Sequence, residues 1–546
     1  MVIDELLGRK VDRRTFIQRA SMFGLSASII GTALTVAGCA NGGNGGSSGG
    51  SSGGRLRVAI IPPPAHDIEP HTFADQGALE TGSIAGEHLI RAAANLQLKP
   101  ELAVSWTPNS DASVWTVKLR PNVKFQSGQT FGADDVVTTY ERLVSPNSGS
   151  QALSAFKGVL SPGGTKKVDD TTVEFHLDNP TASMPYLLSS TTYQSIILPA
   201  NYQLGTFTSK PQTTGAFKLT SYTPGVGAKY DKFAGWWNGS PPLDGIDVTY
   251  YQDASAADNA LLGGTVDLIG QIQLATDRPL FNNSKVQIFG GRGATHREVP
   301  MRTDYNQLKD PRVRQAIALT LDRPSIVQTL FSGKADVGND TPWAPVYPSA
   351  LDSSGHLLVP QRKQDINQAK QLMAQAGLSQ GFAITLTTEQ VGEIPQLAQI
   401  IAQAVKAINI DMSLNIETST AYFAGTQLGP PSGWGNTPWL NAPINITDWG
   451  HRSVPNVYLT SALETGGVWN AAHYSNTAFD AAAKSFIGAI SIDDQRKYAK
   501  QAEEILLQDT PVIFPYFYWY LAAGVQSIKG YYADPQGTVY LSHTSK

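Results

Sequence analysis

The chain has 546 residues, 41% of them hydrophobic and 9% aromatic, enough for about three or four domain-sized units with real cores. Its net charge is −4, from 41 Lys and Arg against 45 Asp and Glu, and no basic stripe stands out, so no nucleic-acid partner is expected. With 51 Gly and 33 Pro it reads as rich in turns and loops, not as a helical bundle.

Residues 1–54 stand apart from the fold. DRRTFIQRA supplies Arg13, Arg14 and Arg19, and the uncharged SMFGLSASIIGTALTVAGCA follows, the order of an export signal. A transmembrane helix needs about 20 predominantly apolar residues, and this run is shorter and diluted with Gly, Ser and Thr. Cys39 is the only cysteine, which excludes an intrachain disulfide or a Cys-cluster metal site. Val36-Ala37-Gly38-Cys39 resembles the lipobox of bacterial lipoproteins, in which the Cys becomes the lipidated amino terminus, so 1–39 is read as a signal peptide. Asp12–Gln18 resembles a twin-arginine motif around Arg13 and Arg14, with Asp before the pair and Gln where Lys is common. Both the twin-arginine and the general export route stay open. Residues 40–54 offer no apolar surface to offset chain entropy and read as a Gly/Ser tether. The G-x-S-x-G match at Gly46–Gly50 lacks the strand–turn–helix context of a nucleophile.

Arg55–Pro63 reads as a first strand, and Val114–Arg120 alternates as a half-buried one. Ala133–Leu143 is a helix with Asp134 and Asp135 in its first turn, where they suit the dipole. Thr172–Leu177, Gly215–Tyr222 and Ile246–Tyr251 read as strands. Asp310-Pro311 starts a helix, and a second, Asp322–Phe331, stops at Gly333, a residue suited to a left-handed end. Ile366–Ala376 and Ile394–Ile408 look amphipathic, with strands at Ile384–Thr387 and Met412–Ile416. Ser491–Asp494 resembles a capping box opening a helix to about Gln508, and Val512–Tyr520 is an aromatic strand. No short-period repeat is present, and the mixture indicates an α/β or α+β protein of several lobes.

Catalytic motifs are missing. There is no H-E-x-x-H, Walker A or G-x-G-x-x-G, and the nearest histidine pair, His66 and His71, lies in a loop with Pro70. Neither a cofactor nor a metal site is expected. Most aromatics are assigned to cores, but Trp434, in the loop PPSGWGN, is a candidate ligand contact.

Several blocks then line up with one family. Pro100–Trp106, Trp115–Arg120, Val123–Gly128 and Ala133–Val137 resemble the signature of the extracellular solute-binding proteins, family 5, the peptide/nickel-type receptors of ABC importers. Thr214–Leu219, Asp310–Ile326, Asn476–Asp480 and Asp494–Gln501 resemble later family blocks in the same order. The resemblance implies a periplasmic-binding-protein-like α/β fold (class II, cluster C), two hinged lobes plus a small extra domain. It implies a discontinuous domain I (55–97, 214–305 and 518–546), domain II at 98–213 and domain III at 306–517. It further implies a monomer that captures a peptide or related polar solute between lobes and delivers it to a membrane permease driven by an ATPase. A tethered extracytoplasmic hydrolase is the alternative from another class.

The same resemblance focuses attention on Asp448–Asn456, DWGHRSVPN. Peptide-binding members place an Asp, in a loop resembling W-x-x-D, against the ligand's α-ammonium group. Here Trp449 is kept and the Asp position is Arg452, with His451 beside it. An arginine repels an ammonium and favours carboxylate or phosphate, so an anionic solute, an opine-like conjugate, a modified peptide or a sugar is expected. Pairing of Arg452 with Asp448 is the structural alternative, and Asp448 itself taking the amine is another. Arg302, in HREVPMRTD, is a second cationic candidate.

Overall fold

The computed structural model describes residues 53–64, 68–274, 276–425 and 435–546. Arg13, Arg14, Cys39 and Trp434 lie outside the described residues.

Two seven-stranded sheets organise the chain. The first runs in the order Val286–Gly291, Tyr520–Val525, Leu268–Ile272, Arg55–Ile60, Gly245–Tyr250, Gly227–Lys232 and Phe217–Thr223. Arg55–Ile60 is parallel to both of its neighbours; Leu56 and Val58 on one face are fully enclosed, while Arg55 and Arg57 on the other stay partly exposed. The second contains Ala335–Val337, Tyr516–Tyr518, His296–Pro300, Ile444–Trp449, Phe382–Glu389 and Ile410–Glu417, with Val512–Ile513 on His296–Pro300. A four-stranded antiparallel sheet, with Val114–Leu119 inside it, forms a smaller body whose core takes Trp115, Val117 and Leu119 from alternate positions. Each large sheet has its own core, one around Val58, Tyr230 and Leu268, the other around Ile317, Leu386 and Ile446.

The local devices read from the sequence are in place. The Asp310 carboxylate accepts from the Arg312 amide at 2.9 Å and Pro311 fills the first helical position of Pro311–Leu319. Ser491 caps Ile492–Asp509 by accepting from the Asp494 amide. Helix Arg323–Phe331 ends at Phe331 as expected, and both Ser332, at φ 48°, and Gly333, at φ 78°, are left-handed beyond it. The expected aromatic strand Val512–Tyr520 is three strands, Val512–Ile513, Tyr516–Tyr518 and Tyr520–Val525. Pro515 has no N–H for a ladder, and at Trp519 the chain leaves the second sheet and enters the first.

That crossing and a second one, from Val286–Gly291 to His296–Pro300, are the two sheet-to-sheet links beside which the cleft forms. They are tied together where the Tyr518 amide donates to the Thr295 carbonyl at 2.9 Å. Gly291 begins its link against the chain's later residues: a Cβ there would sit 1.9 Å from the Ala533 carbonyl oxygen, so only glycine fits.

Candidate ligand cleft

Strand registers fix where a ligand can sit. In the first lobe, Arg55–Ile60, Gly245–Tyr250 and Leu268–Ile272 are parallel, and Ile272 pairs with Leu521 just past the crossing at Trp519. Their carboxyl ends therefore point to the hinge side. In the second lobe, Trp449 pairs with His296 at the other crossing, and Phe382–Glu389 and Ile410–Glu417 run parallel to Ile444–Trp449. Glu389, Glu417 and Trp449 therefore end on the hinge side too. Carboxyl ends of parallel strands form the crevice in which α/β sheets bind ligands, and here two such crevices meet at one hinge.

The floor on the second lobe is a charged cluster around Arg297. Its guanidinium, 4% exposed, lies 2.9 Å from one Glu393 oxygen, donates to the other at 3.1 Å, and pairs closely with Asp448. It also donates to the Tyr518 hydroxyl at 3.0 Å and lies over that ring, 4.7 Å from its centroid. Burial works against the Arg297 charge, but Tyr518, Glu393 and Asp448 hold its pKa well above the usual value. Tyr516 donates to Glu393 Oε1, the oxygen 2.9 Å from Arg297 Nε, at 2.7 Å. Glu389, next to this cluster, has its pKa raised, mainly by burial and also by the Asp448 charge. Two carboxylates thus share one cation, and Asp448 keeps 41% of its side chain exposed, so the floor presents net negative charge.

The loop Trp449–Arg452 follows directly. Fully buried Tyr458 donates to the Gly450 carbonyl at 2.7 Å, and Tyr347 to the Arg452 carbonyl at 2.7 Å. Tyr458 opens a π-helical turn, Tyr458–Leu463, which buries it beneath the loop. Trp449 is enclosed by Tyr458 and Trp469, with ring centroids 5.5 and 5.6 Å away. His451 is buried, and its Nδ1 accepts from the Ala294 amide in the hinge at 2.8 Å. Burial, then the Arg452 charge, lower its pKa to about 3, so it is a neutral imidazole carrying its proton on Nε2. Arg452 is exposed. Its guanidinium donates to the His451 carbonyl at 2.9 Å and, among the described residues, makes no ion pair. The alternative in which it pairs with Asp448 does not hold, because Asp448 is held by Arg297. Arg302 is engaged elsewhere: it grips Asp304 with two hydrogen bonds at 2.8 and 2.7 Å and donates to the Asn441 carbonyl.

The structure therefore brings Asp448, Trp449, His451 and Arg452 to one strand end and leaves Arg302 in a separate ion pair. Sequence reading missed Arg297, Glu389, Glu393 and Tyr518. The available signal was His296-Arg297-Glu298, three ionisable residues in a row in a strand whose five members are all buried. Among the described residues, no group of three or more His, Cys, Asp or Glu could hold a metal ion, and no helix is long and apolar enough to cross a membrane.

Comparison with known proteins agrees with this architecture. The family model described as bacterial extracellular solute-binding proteins, family 5 Middle, matches residues 97–470. The chain is 26% identical over 466 residues to "Heme-binding protein A" of Haemophilus influenzae, covering 81% of this chain and 82% of that one. It is 25% identical over 430 residues to "Glutathione-binding protein GsiB" of Escherichia coli, covering 77% and 80%. The solved structure of HbpA2 from Haemophilus parasuis superposes with a TM-score of 0.76 at 20% identity, over 90% of this chain and 99% of that one, a likeness of fold.

Proposed function

Because the chain belongs to the bacterial extracellular solute-binding proteins, family 5, we propose that its cleft captures a small peptide-like acid, bearing both ammonium and carboxylate groups, for an ABC importer. One observation carries this reading: an exposed Arg452 guanidinium, with no ion pair among the described residues, stands at the same strand end as the net-negative floor of Asp448 and Glu393. An ammonium is suited to the acids, and a carboxylate to the planar fork of the arginine. A γ-linked tripeptide such as glutathione, with two carboxylates and one ammonium, has this pattern, and a curated relative is named for binding it.

Capture follows from the two walls. A ligand touching both lobes favours the conformation in which both are within reach, and that difference in affinity moves the hinge. The proposed moving bodies are 55–97 with 214–305 and 518–546, then 98–213, then 306–517. Affinity in the micromolar range, about −8 kcal/mol, suits capture followed by release. The proposed setting is a monomer lipidated at Cys39, tethered by residues 40–54 and docking on a permease and ATPase complex.

Calorimetric titration with glutathione and with trialanine tests the reading. Wild type is expected to prefer glutathione, and Arg452→Asp to weaken glutathione at least tenfold while shifting preference toward trialanine. Equal affinities in the two proteins sink the assignment. Conversion of the peptide to products under the same conditions supports the hydrolase instead.

A further inference from the structure

Trp519 stands where the chain passes from the second sheet to the first, and its side chain engages both lobes. The ring packs against a core cluster of the first lobe that includes Ile272, Val286 and Leu521. It also lies over Gly290, where a Cβ would sit 3.1 Å from it. The indole N–H donates at 3.1 Å to the carboxylate of Asp336, in the edge strand Ala335–Val337 of the second lobe. The Trp519 amide donates to the Lys334 carbonyl at 3.2 Å, next to that strand. The other Asp336 oxygen lies 3.3 Å from Nη2 of Arg292, which belongs to the other sheet-to-sheet link. Arg292 and Lys334 both lie over the indole, their cationic ends 5.4 and 5.8 Å from a ring centroid. The Asp336 side chain is 10% exposed and that of Arg292 58%. One enclosed carboxylate of the second lobe therefore holds a residue from each link.

We propose that Asp336 and Trp519 form a clasp across the hinge that sets the resting arrangement of the two lobes, and that Asp336 is thereby a positioning residue for capture. Hinge closure is absorbed by a few residues between rigid bodies, and here those are the two short links. A side chain packed in one lobe and hydrogen-bonded to the other loses one of these contacts when the lobes rotate apart or together. The contact with the indole is the stronger arm, because the acceptor is ionised and little exposed. The Arg292 arm is weaker, since its guanidinium is largely in water. Whatever shifts the lobe equilibrium rescales the apparent affinity of a solute that touches both lobes. That consequence for capture rests on the hinge-side cleft being the ligand site, whereas the clasp itself is read without any ligand.

The test is the distance between spin labels at Asn282→Cys in the first lobe and Gln403→Cys in the second. Both positions are exposed and face one interlobe groove of about 1150 Å³. The ligand-free full chain is used with Cys39→Ser, so that the two added thiols are the only ones. Asp336→Ala removes both arms, and Trp519→Phe removes the N–H while keeping a ring over Gly290. Each is expected to move the mean distance, or widen its distribution, by more than about 2 Å. Arg292→Gln is expected to change it less than either. An unchanged distribution in Trp519→Phe overturns the clasp. So does a change confined to Asp336→Ala, because Trp519→Phe leaves that strand and its carboxylate intact. Glutathione titrated into Arg452→Asp tests the ligand assignment separately, and its failure there leaves the distance result standing.

Discussion

Replacing Arg297 with Met removes the cation from the cleft floor and keeps most of its volume. The pair with Glu393, at 2.9 Å, has a gross attraction of about 6 kcal/mol at an effective dielectric of about 20. Desolvation of a guanidinium this buried offsets much of that, and the Asp448 pair, with its carboxylate 41% exposed, adds at most about 1 kcal/mol. What the substitution leaves is Glu393, 16% exposed, facing Glu389 and Asp448 with no cation. Breaking a buried pair in this way costs about 3–5 kcal/mol. For a cooperative unit of about 200 residues this corresponds to a fall of roughly 6–20 °C in Tm. Differential scanning calorimetry at pH 7 and pH 5 is the assay. Glu389, whose pKa is raised mainly by burial, loses the Arg297 charge that holds it down, so its carboxyl takes up a proton as pH falls and the deficit shrinks at pH 5. A deficit under 2 °C at pH 7, or one equal at both pH values, refutes the reasoning.

Asp340 is fully buried and binds Arg323, 1% exposed, at 2.8 and 2.7 Å, and Arg362 at 2.7 Å. Asp340→Asn strands two guanidinium groups and is expected to cost about 3–5 kcal/mol, read as a lower Tm by calorimetry; a loss under 1 kcal/mol contradicts it. His451 and His88 are both lowered to about 3, mainly by burial. Since the unfolded chain binds these protons near pH 6.5 and the folded one does not, their contribution is full above 6.5 and is lost as pH falls toward 3. Melting curves from pH 7 to pH 4 should fall less steeply in His451→Gln; parallel curves count against the assignment.

Much of the fold was legible because local rules were obeyed without competition. Alternation in Val114–Leu119 placed Trp115, Val117 and Leu119 inward, and Asp310-Pro311 and Ser491 opened helices where side-chain caps were predicted. Val512–Tyr520 was less legible: a uniform aromatic composition hides that Pro515 and Trp519 are breaks, and which sheet each piece joins depends on partners as far back as His296–Pro300 and Leu268–Ile272. The loop at Trp449–Arg452 could be located from its spacing, but its electrostatics could not. Asp448 pairs with a residue 151 positions away, and although His296-Arg297-Glu298 stands out as three ionisable residues in a row, the sequence does not say which of them turns toward a cleft.

The place of Tyr520–Val525 in the first sheet has a consequence for synthesis of the chain. This strand lies inside the sheet, between Leu268–Ile272 and Val286–Gly291, and bonds to both. Until it leaves the ribosome, each of those strands has an open side, and the sheet cannot close around its core. The four-stranded body, whose strands all lie between residues 103 and 176, needs no such late partner and can form early. Tyr516–Tyr518 likewise lies between Ala335–Val337 and His296–Pro300 in the second sheet, so a nascent chain carries one finished body and two unfinished sheets for most of its elongation, with exposed strand edges that favour pairing with other chains. The lobe that holds one wall of the cleft is the last to become sound.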